Sequence, residues 1–261
     1  MLNQLNGMKA VVCGSTDGIG FAIAREFSKY GIACTLLARN EEKLKTAVEA
    51  LKRISPLNHS YAVADFSDPS QVKNAIQQFS EKENYHILVN NTGGPPPGNA
   101  IDAEPLDFLN AFKQHLICNH ILAKQLVQGM KSLHYGRIIN ILSTSVKIPI
   151  KGLGVSNTIR GAVASWAKTL SMELAPYGIT VNNILPGLTE TGRLQSLITS
   201  NAKKSGLSEE DVRKMMLSEI PAGRYGFPEE PASLALFLAS PAAAYINGVS
   251  IPVDGGKTGA F

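Results

Sequence analysis

Val11-Val12-Cys13-Gly14-Ser15-Thr16-Asp17-Gly18-Ile19-Gly20 closes a short apolar run and leads directly into Phe21-Ala22-Ile23-Ala24-Arg25-Glu26-Phe27, an amphipathic helix. The order is strand, glycine turn, helix. Glycines 14, 18 and 20 let the backbone turn with positive φ and approach a ligand closely, while the N–H groups of Gly18, Ile19 and Gly20 open the new helix at its positive dipole end. A diphosphate belongs there. A glycine triplet alone also marks plain tight turns, so the flanking strand and helix carry the inference.

Working outward, apolar runs at 32–38, 60–64, 86–90, 137–142, 178–184 and 249–253 alternate with helical patterns at 41–54, 69–82, 105–133, 153–175 and 228–238. Residues 188 to 220 read as an irregular stretch with short helices. The pattern predicts one α/β domain over 1–261, a Rossmann-type doubly wound parallel sheet of about seven strands with helices on both faces. Ligands of such sheets bind at the carboxyl ends of the strands, where Gly14, Arg39, Asp65, Asn91, Ser143 and Pro186-Gly187 converge.

Composition narrows the class. The 261 residues are 44% hydrophobic and 18% charged, which is ordinary for a globular chain. A net charge of +4, spread without a block of like charges, argues against a nucleic-acid arm or a membrane patch. Cys13, Cys34 and Cys118 sit in apolar or helical settings and read as buried thiols of a reducing compartment. The first residues lack signal-peptide features and no long apolar run occurs, so the expectation is a soluble, cytoplasmic protein. No metal site is assigned.

A nicotinamide or flavin dinucleotide needs a group for the adenosine ribose after the second strand, where an acid commonly stands. Ala38-Arg39 stands there instead. A guanidinium suits a 2′-phosphate, with Ser15 as helper, which favours NADP over NAD. The opposing reading is a solvated arginine that opens a helix. Asp65 either accepts from the adenine amino group or caps the turn before Pro69. Asn91 to Gly94 either passes beside a ribose or is a structural turn.

These residues, together with Asn90-Asn91-Thr92-Gly93, the segments 136–143 and 178–182, Pro186-Gly187 with Thr191, and Val253-Asp254-Gly255-Gly256, resemble the short-chain dehydrogenase/reductase family, in its 3-oxoacyl-(acyl carrier protein) reductase branch. The resemblance covers nearly the whole chain. It implies cofactor contacts by Gly14, Ser15, Asp17, Gly18, Ile19, Gly20, Arg39, Asp65, Asn91, Arg160, Pro186, Gly187 and Thr191. Ile184 and Thr191 would lie beside the nicotinamide, and 191–225 would form a lid over a small-molecule substrate. It also implies a homo-oligomer, a tetramer or dimer, built through the long helices at 105–133 and 153–175; the 162–166 face is either such a contact or plain core.

The catalytic positions depart from the family, whose members use an Asn, a Ser and a Tyr followed four residues later by Lys. The matching positions hold His115, Ser143, Ser156 and Arg160, and none of the 7 tyrosines is followed at that spacing by lysine. A serine hydroxyl is far less acidic than a phenol, and a guanidinium does not relay a proton. His115 can exchange protons near neutral pH, or is a packed helix-face histidine. Lys147 and Lys151 read as surface charge. Three functions therefore compete: a reductase of a carbonyl substrate with a remodelled donor; a catalytically impaired dinucleotide-binding protein that senses cofactor or pairs with an active relative; and, ranked last, a non-redox enzyme on the same scaffold.

Overall fold

The computed structural model describes residues 5–259. Its strands are β1 (Lys9–Cys13), β2 (Ala33–Ala38), β3 (Ser60–Val63), β4 (Ile87–Asn90), β5 (Gly136–Ile141), β6 (Ile179–Pro186) and β7 (Ser250–Val253). They lie in the order β3-β2-β1-β4-β5-β6-β7, every neighbouring pair parallel. The chain runs outward from β1 to β3 and then crosses back to β4. The switch point thus falls between β1 and β4, where Gly14 and Asn91 directly follow their strands.

The central strands are apolar on both faces because both are covered. Helices α1 (Gly18–Lys29), α2 (Glu41–Ile54) and α9 (Glu229–Ala239) pack on one side through Ile23, Phe27, Leu44, Leu51 and Leu236. On the other side, α3 (Pro69–Ser80), α5 (Cys118–Leu133) and α6 (Gly154–Leu174) bring Val72, Ile76, Leu122, Met130 and Leu174. Local chemistry sets the helix starts: Asn40 Oδ1 accepts from Lys43 N at 2.9 Å, and Asp68 precedes Pro69 in the first turn of α3. All three cysteines are free and buried, and burial pushes the Cys118 thiol up to about 12, so these are structural thiols. Among the described residues no helix is long and apolar enough to cross a membrane.

Two segments differ from expectation. The helix expected over 105–133 is α4 (Pro105–Phe112) and α5, joined by a π-helical turn at Lys113–Ile117. One inserted residue leaves the apolar periodicity on either side intact, so periodicity does not reveal it. The short helices expected within 188–220 are there, but as α7 (Gly192–Ser205) and α8 (Glu209–Ser218), longer and better capped than an irregular stretch implies. Thr191 Oγ1 accepts from Leu194 N at 3.4 Å, and Ser208 Oγ from Asp211 N at 3.1 Å. Leu194, Ile198, Val212 and Tyr225 give this unit an apolar cluster of its own.

A buried amide ladder pins the register of the second half of the sheet. Asn90 Nδ2 donates to Asn140 Oδ1 at 2.8 Å, Asn140 Nδ2 to Asn183 Oδ1 at 2.9 Å, and Asn183 Nδ2 to Ser250 Oγ at 3.0 Å. These residues face one another in β4, β5, β6 and β7. Asn140→Leu removes two bonds and strands one buried donor and one buried acceptor. We expect it to lower unfolding stability by about 2–4 kcal/mol in urea titrations. A value within about 0.5 kcal/mol of wild type would show that the ladder carries no weight.

Candidate active site

The site begins at the glycine turn. Gly14 and Gly18 have φ of +55° and +53°, in the left-handed region that glycine tolerates. Gly20 is required by space: a Cβ there would lie 2.3 Å from the Gly14 carbonyl oxygen. Asn91, at the end of β4, donates through Nδ2 to the carbonyls of Cys13 at 3.2 Å and Gly14 at 3.1 Å, tying the turn to the neighbouring strand. Asp17 is the N-cap of α1, its Oδ1 accepting from Gly18 N at 2.7 Å. The first helical bond is Phe21 N to Asp17 O, and the N–H groups of Ile19 and Gly20 have no partner among the described residues. Two unpaired amides at a helix start beside the switch point fit the diphosphate of a dinucleotide.

Around this turn the expected contacts divide. Arg39 is exposed beyond β2 and has no ion-pair partner among the described residues, leaving its guanidinium open to a phosphate. Asp65 accepts from Ser67 N at 2.9 Å, and that bond leads in holding its carboxyl below the usual carboxylate range. It therefore caps the turn, and its second oxygen accepts from no backbone N–H among the described residues. Ser15, expected as a helper to Arg39, is instead fully buried with its hydroxyl unpartnered among the described residues, so it does not open toward a 2′-phosphate. Thr191 lies against the turn: its Cγ2 would be 3.3 Å from a Cβ on Gly18. Gly187 N donates to Val253 O at 2.9 Å, which places Pro186-Gly187 beside the end of β7.

His115 lies in the middle of the π-helical turn and is buried. Its Nδ1 and Thr92 Oγ1 are 2.6 Å apart, while Nε2 is buried without a partner among the described residues. Burial, with Arg160's charge second, lowers its pKa to about 3. The ring is neutral near pH 7, which favours the packed helix-face histidine over the proton-exchanging one.

This shift has a consequence for stability. An unfolded chain binds the proton near pH 6.5 and the folded chain only near 3. The stabilisation is therefore complete above about pH 6.5 and lost as pH falls toward 3, at about 1.4 kcal/mol per pH unit while the difference persists. His115→Asn removes the titration. We expect the wild type to lose about 2–3 kcal/mol more than this variant between about pH 7 and pH 4.5 in urea unfolding. Equal losses would contradict the burial effect.

Ser156 and Arg160 share the inner face of α6, one turn apart, and both are buried. Arg160 Nη1 donates to the carbonyls of Ile141 at 3.2 Å and Leu142 at 2.9 Å, and Nε donates to Ser156 Oγ at 3.3 Å. Burial, then the neighbouring Arg193 charge, lowers the Arg160 pKa to about 10, so it stays charged near neutral pH. Ser143 follows Leu142 directly, and its Oγ accepts from Ser145 N at 3.2 Å, with its own proton still to donate. Lys147 and Lys151 are exposed, as surface charges are.

Three contacts at the site were not read from the sequence. Thr92 holds the imidazole. Arg193, in the first turn of α7, donates from Nη2 to Pro95 O at 3.0 Å, and Gly94 lies beneath both Arg160 and Arg193. Thr92 stands where the family pattern has alanine, a substitution that could have flagged a new polar contact. For Arg193 and Gly94 no local pattern exists.

Comparison with known proteins places this arrangement. A family model described as enoyl-(acyl carrier protein) reductase matches residues 14–258. The 3-oxoacyl-(acyl-carrier-protein) reductase FabG of Rickettsia prowazekii is 33% identical over 253 residues, covering 97% of this chain and 98% of that one. The NADPH-dependent reductase BacG of Bacillus subtilis is 31% identical over 250 residues, covering 95% and 96%. Among solved structures, the L-sorbose reductase of Gluconobacter frateurii, complexed with NADPH and L-sorbose, superposes with a TM-score of 0.94 at 29% identity over the full length of both chains. Sheet order, glycine turn and overall match agree, and the chain belongs to the short-chain dehydrogenase/reductase family of NAD(P)-dependent oxidoreductases.

Proposed function

We propose that the protein is an NADPH-dependent reductase of a small carbonyl compound, 3-oxoacyl-thioester-like in its reacting group, working with Ser143, Ser156 and Arg160 where relatives use Ser, Tyr and Lys. The observation that carries this reading is one loop serving two places. Asn91 closes the nucleotide turn, and three residues on Gly94 faces the buried Arg160 guanidinium. NADPH, when bound, supplies the hydride. The amides of Ile19 and Gly20 and the Arg39 guanidinium hold phosphates, Asp17 shapes the turn as helix cap, and Asp65 offers its second oxygen toward the adenine. Ser143 and Ser156 donate hydrogen bonds to the substrate carbonyl oxygen. Arg160 polarises the Ser156 hydroxyl through Nε and stabilises the negative charge that develops on that oxygen. The final proton comes from water, because neither a guanidinium nor a neutral His115 releases one near pH 7.

Several features accompany this reading. The L-sorbose reductase is complexed with NADPH and BacG is named an NADPH-dependent reductase, in line with Arg39. The domain spans 1–261, with 191–225 as the substrate lid; the separate apolar cluster of α7 and α8 supports that division. Exposed Leu106, Leu109 and Phe112 along α4 support a homo-oligomer, a tetramer or dimer. Three unpaired buried thiols suit a cytoplasmic protein.

The test is a titration with NADPH and NADH followed by reduced-cofactor fluorescence, then NADPH oxidation with a panel of ketones and 3-oxo esters. We expect tighter binding of NADPH and slow substrate-dependent oxidation that falls at least about tenfold in Ser143→Ala. Absence of binding at millimolar NADPH would sink the reading. Tight binding without turnover would favour the second reading, a dinucleotide-binding protein without catalysis, for which the missing Tyr–Lys pair speaks.

A further inference from the structure

Two guanidiniums meet over the loop after β4 without a counter-charge among the described residues. A Cβ on Gly94 would lie 3.3 Å from Arg160 Nη2 and 3.5 Å from Arg193 Nη2, so arginines from α6 and from the first turn of α7 face the same point. Neither has a carboxylate partner among the described residues, whereas Arg224 pairs with Glu230 at 2.6 Å and Arg213 with Glu190 at 3.4 Å. Arg160 is buried and spends Nη1 and Nε on its own chain, while its Nη2 makes no hydrogen bond among the described residues. Arg193 stands at the rim, exposed, with one nitrogen on Pro95 O. Each charge is partly stripped of water, and both pKa values are lowered. Like charges held together in this way are costly until an anion joins them.

We propose that Gly94, Arg160 and Arg193 form an oxyanion subsite that takes a carboxylate on the substrate, so that the compound reduced is an oxo acid. The inference rests on the reductase reading. The other source of such an oxyanion is the cofactor diphosphate, but the unpaired amides of Ile19 and Gly20 already await that group. Guanidiniums suit the role because their planar fork meets a carboxylate with paired hydrogen bonds. Arg193 also belongs to the proposed lid, so an anion held between it and Arg160 would draw 191–225 down over the substrate.

The experiment uses oxalate as probe and the full chain, by titration calorimetry with and without saturating NADP+, beside a fluorescence titration of NADPH. We expect oxalate to bind in the millimolar range, and Arg193→Leu to raise its Kd at least tenfold with the NADPH Kd within twofold of wild type. Gly94 does not have a positive φ, so Gly94→Asp is accessible to the backbone. It places a carboxylate between the guanidiniums, and we expect it to raise Tm and abolish oxalate binding. The proposal is overturned if oxalate does not bind wild type, or if Arg193→Leu binds it equally well. A loss of NADPH affinity in Arg193→Leu as large as the loss of oxalate affinity also overturns it, because the anion would then be the diphosphate. Failure of NADP+ itself to bind sinks the reductase reading, and oxalate binding without nucleotide still decides the subsite.

Discussion

Gly20→Ala is expected to raise the NADPH dissociation constant at least about 100-fold, a loss of roughly 2.7 kcal/mol, while the protein stays folded. The added methyl would lie 2.3 Å from Gly14 O, 2.6 Å from Asn91 Nδ2 and 2.9 Å from the Gly14 carbonyl carbon. Two of these are backbone atoms, so no rotamer change makes room. The turn must open, and Asn91 loses its grip on the carbonyls of Cys13 and Gly14. The Ile19 and Gly20 amides then no longer converge on one phosphate. Fluorescence titration measures the affinity, and circular dichroism verifies the fold. Gly161→Ala is the control: it lies inside α6, a Cβ there meets nothing within 4 Å, and the change should stabilise by up to about 1 kcal/mol. A Gly20→Ala protein that binds NADPH within threefold of wild type would dismiss the turn as the diphosphate seat.

What the sequence reveals about this site follows from how local each feature is. The turn at Gly14 to Gly20 is readable because glycine's backbone freedom belongs to the residue itself, and Ser156 with Arg160 is readable because helical spacing puts them on one face. Arg39 is readable from its place just after β2. The amide ladder is different. Asn90, Asn140 and Asn183 lie far apart in the chain and meet only once β4, β5 and β6 are ordered side by side. Arg193 and Pro95 meet across a separation of 98 residues.

His115 shows the same limit in electrostatic form. Its identity suggests a group that titrates near neutrality, but burial and the Arg160 charge decide its protonation, and both are properties of the packed site. Ser15 is a milder case: a hydroxyl in a phosphate-binding turn invites a contact, yet the turn folds it inward.

Replacing Arg160 tests whether the buried cation carries the chemistry. We expect Arg160→Met to lower kcat/KM at least about 100-fold, or roughly 2.7 kcal/mol of transition-state stabilisation. Methionine fills much of the same space, but it removes the donor to Ser156 and the charge near the developing oxyanion. The effect on folding is smaller and of mixed origin. The carbonyls of Ile141 and Leu142 lose their Arg160 donor, whereas a costly buried charge disappears.

Arg160→Lys separates charge from geometry. It restores a cation but supplies no second donor arm, so activity should recover only in part. It also changes the pH profile. Arg160, lowered only to about 10, imposes no alkaline limb on the rate below about pH 9. A lysine starts near 10.4 and is driven lower by the same burial, so the variant should lose activity as pH rises through its depressed pKa. Steady-state kinetics from about pH 6 to pH 9 read both effects. If the methionine variant kept wild-type kcat/KM, or the lysine variant followed the wild-type profile throughout, the positive charge under the carbonyl would have no part in the reaction.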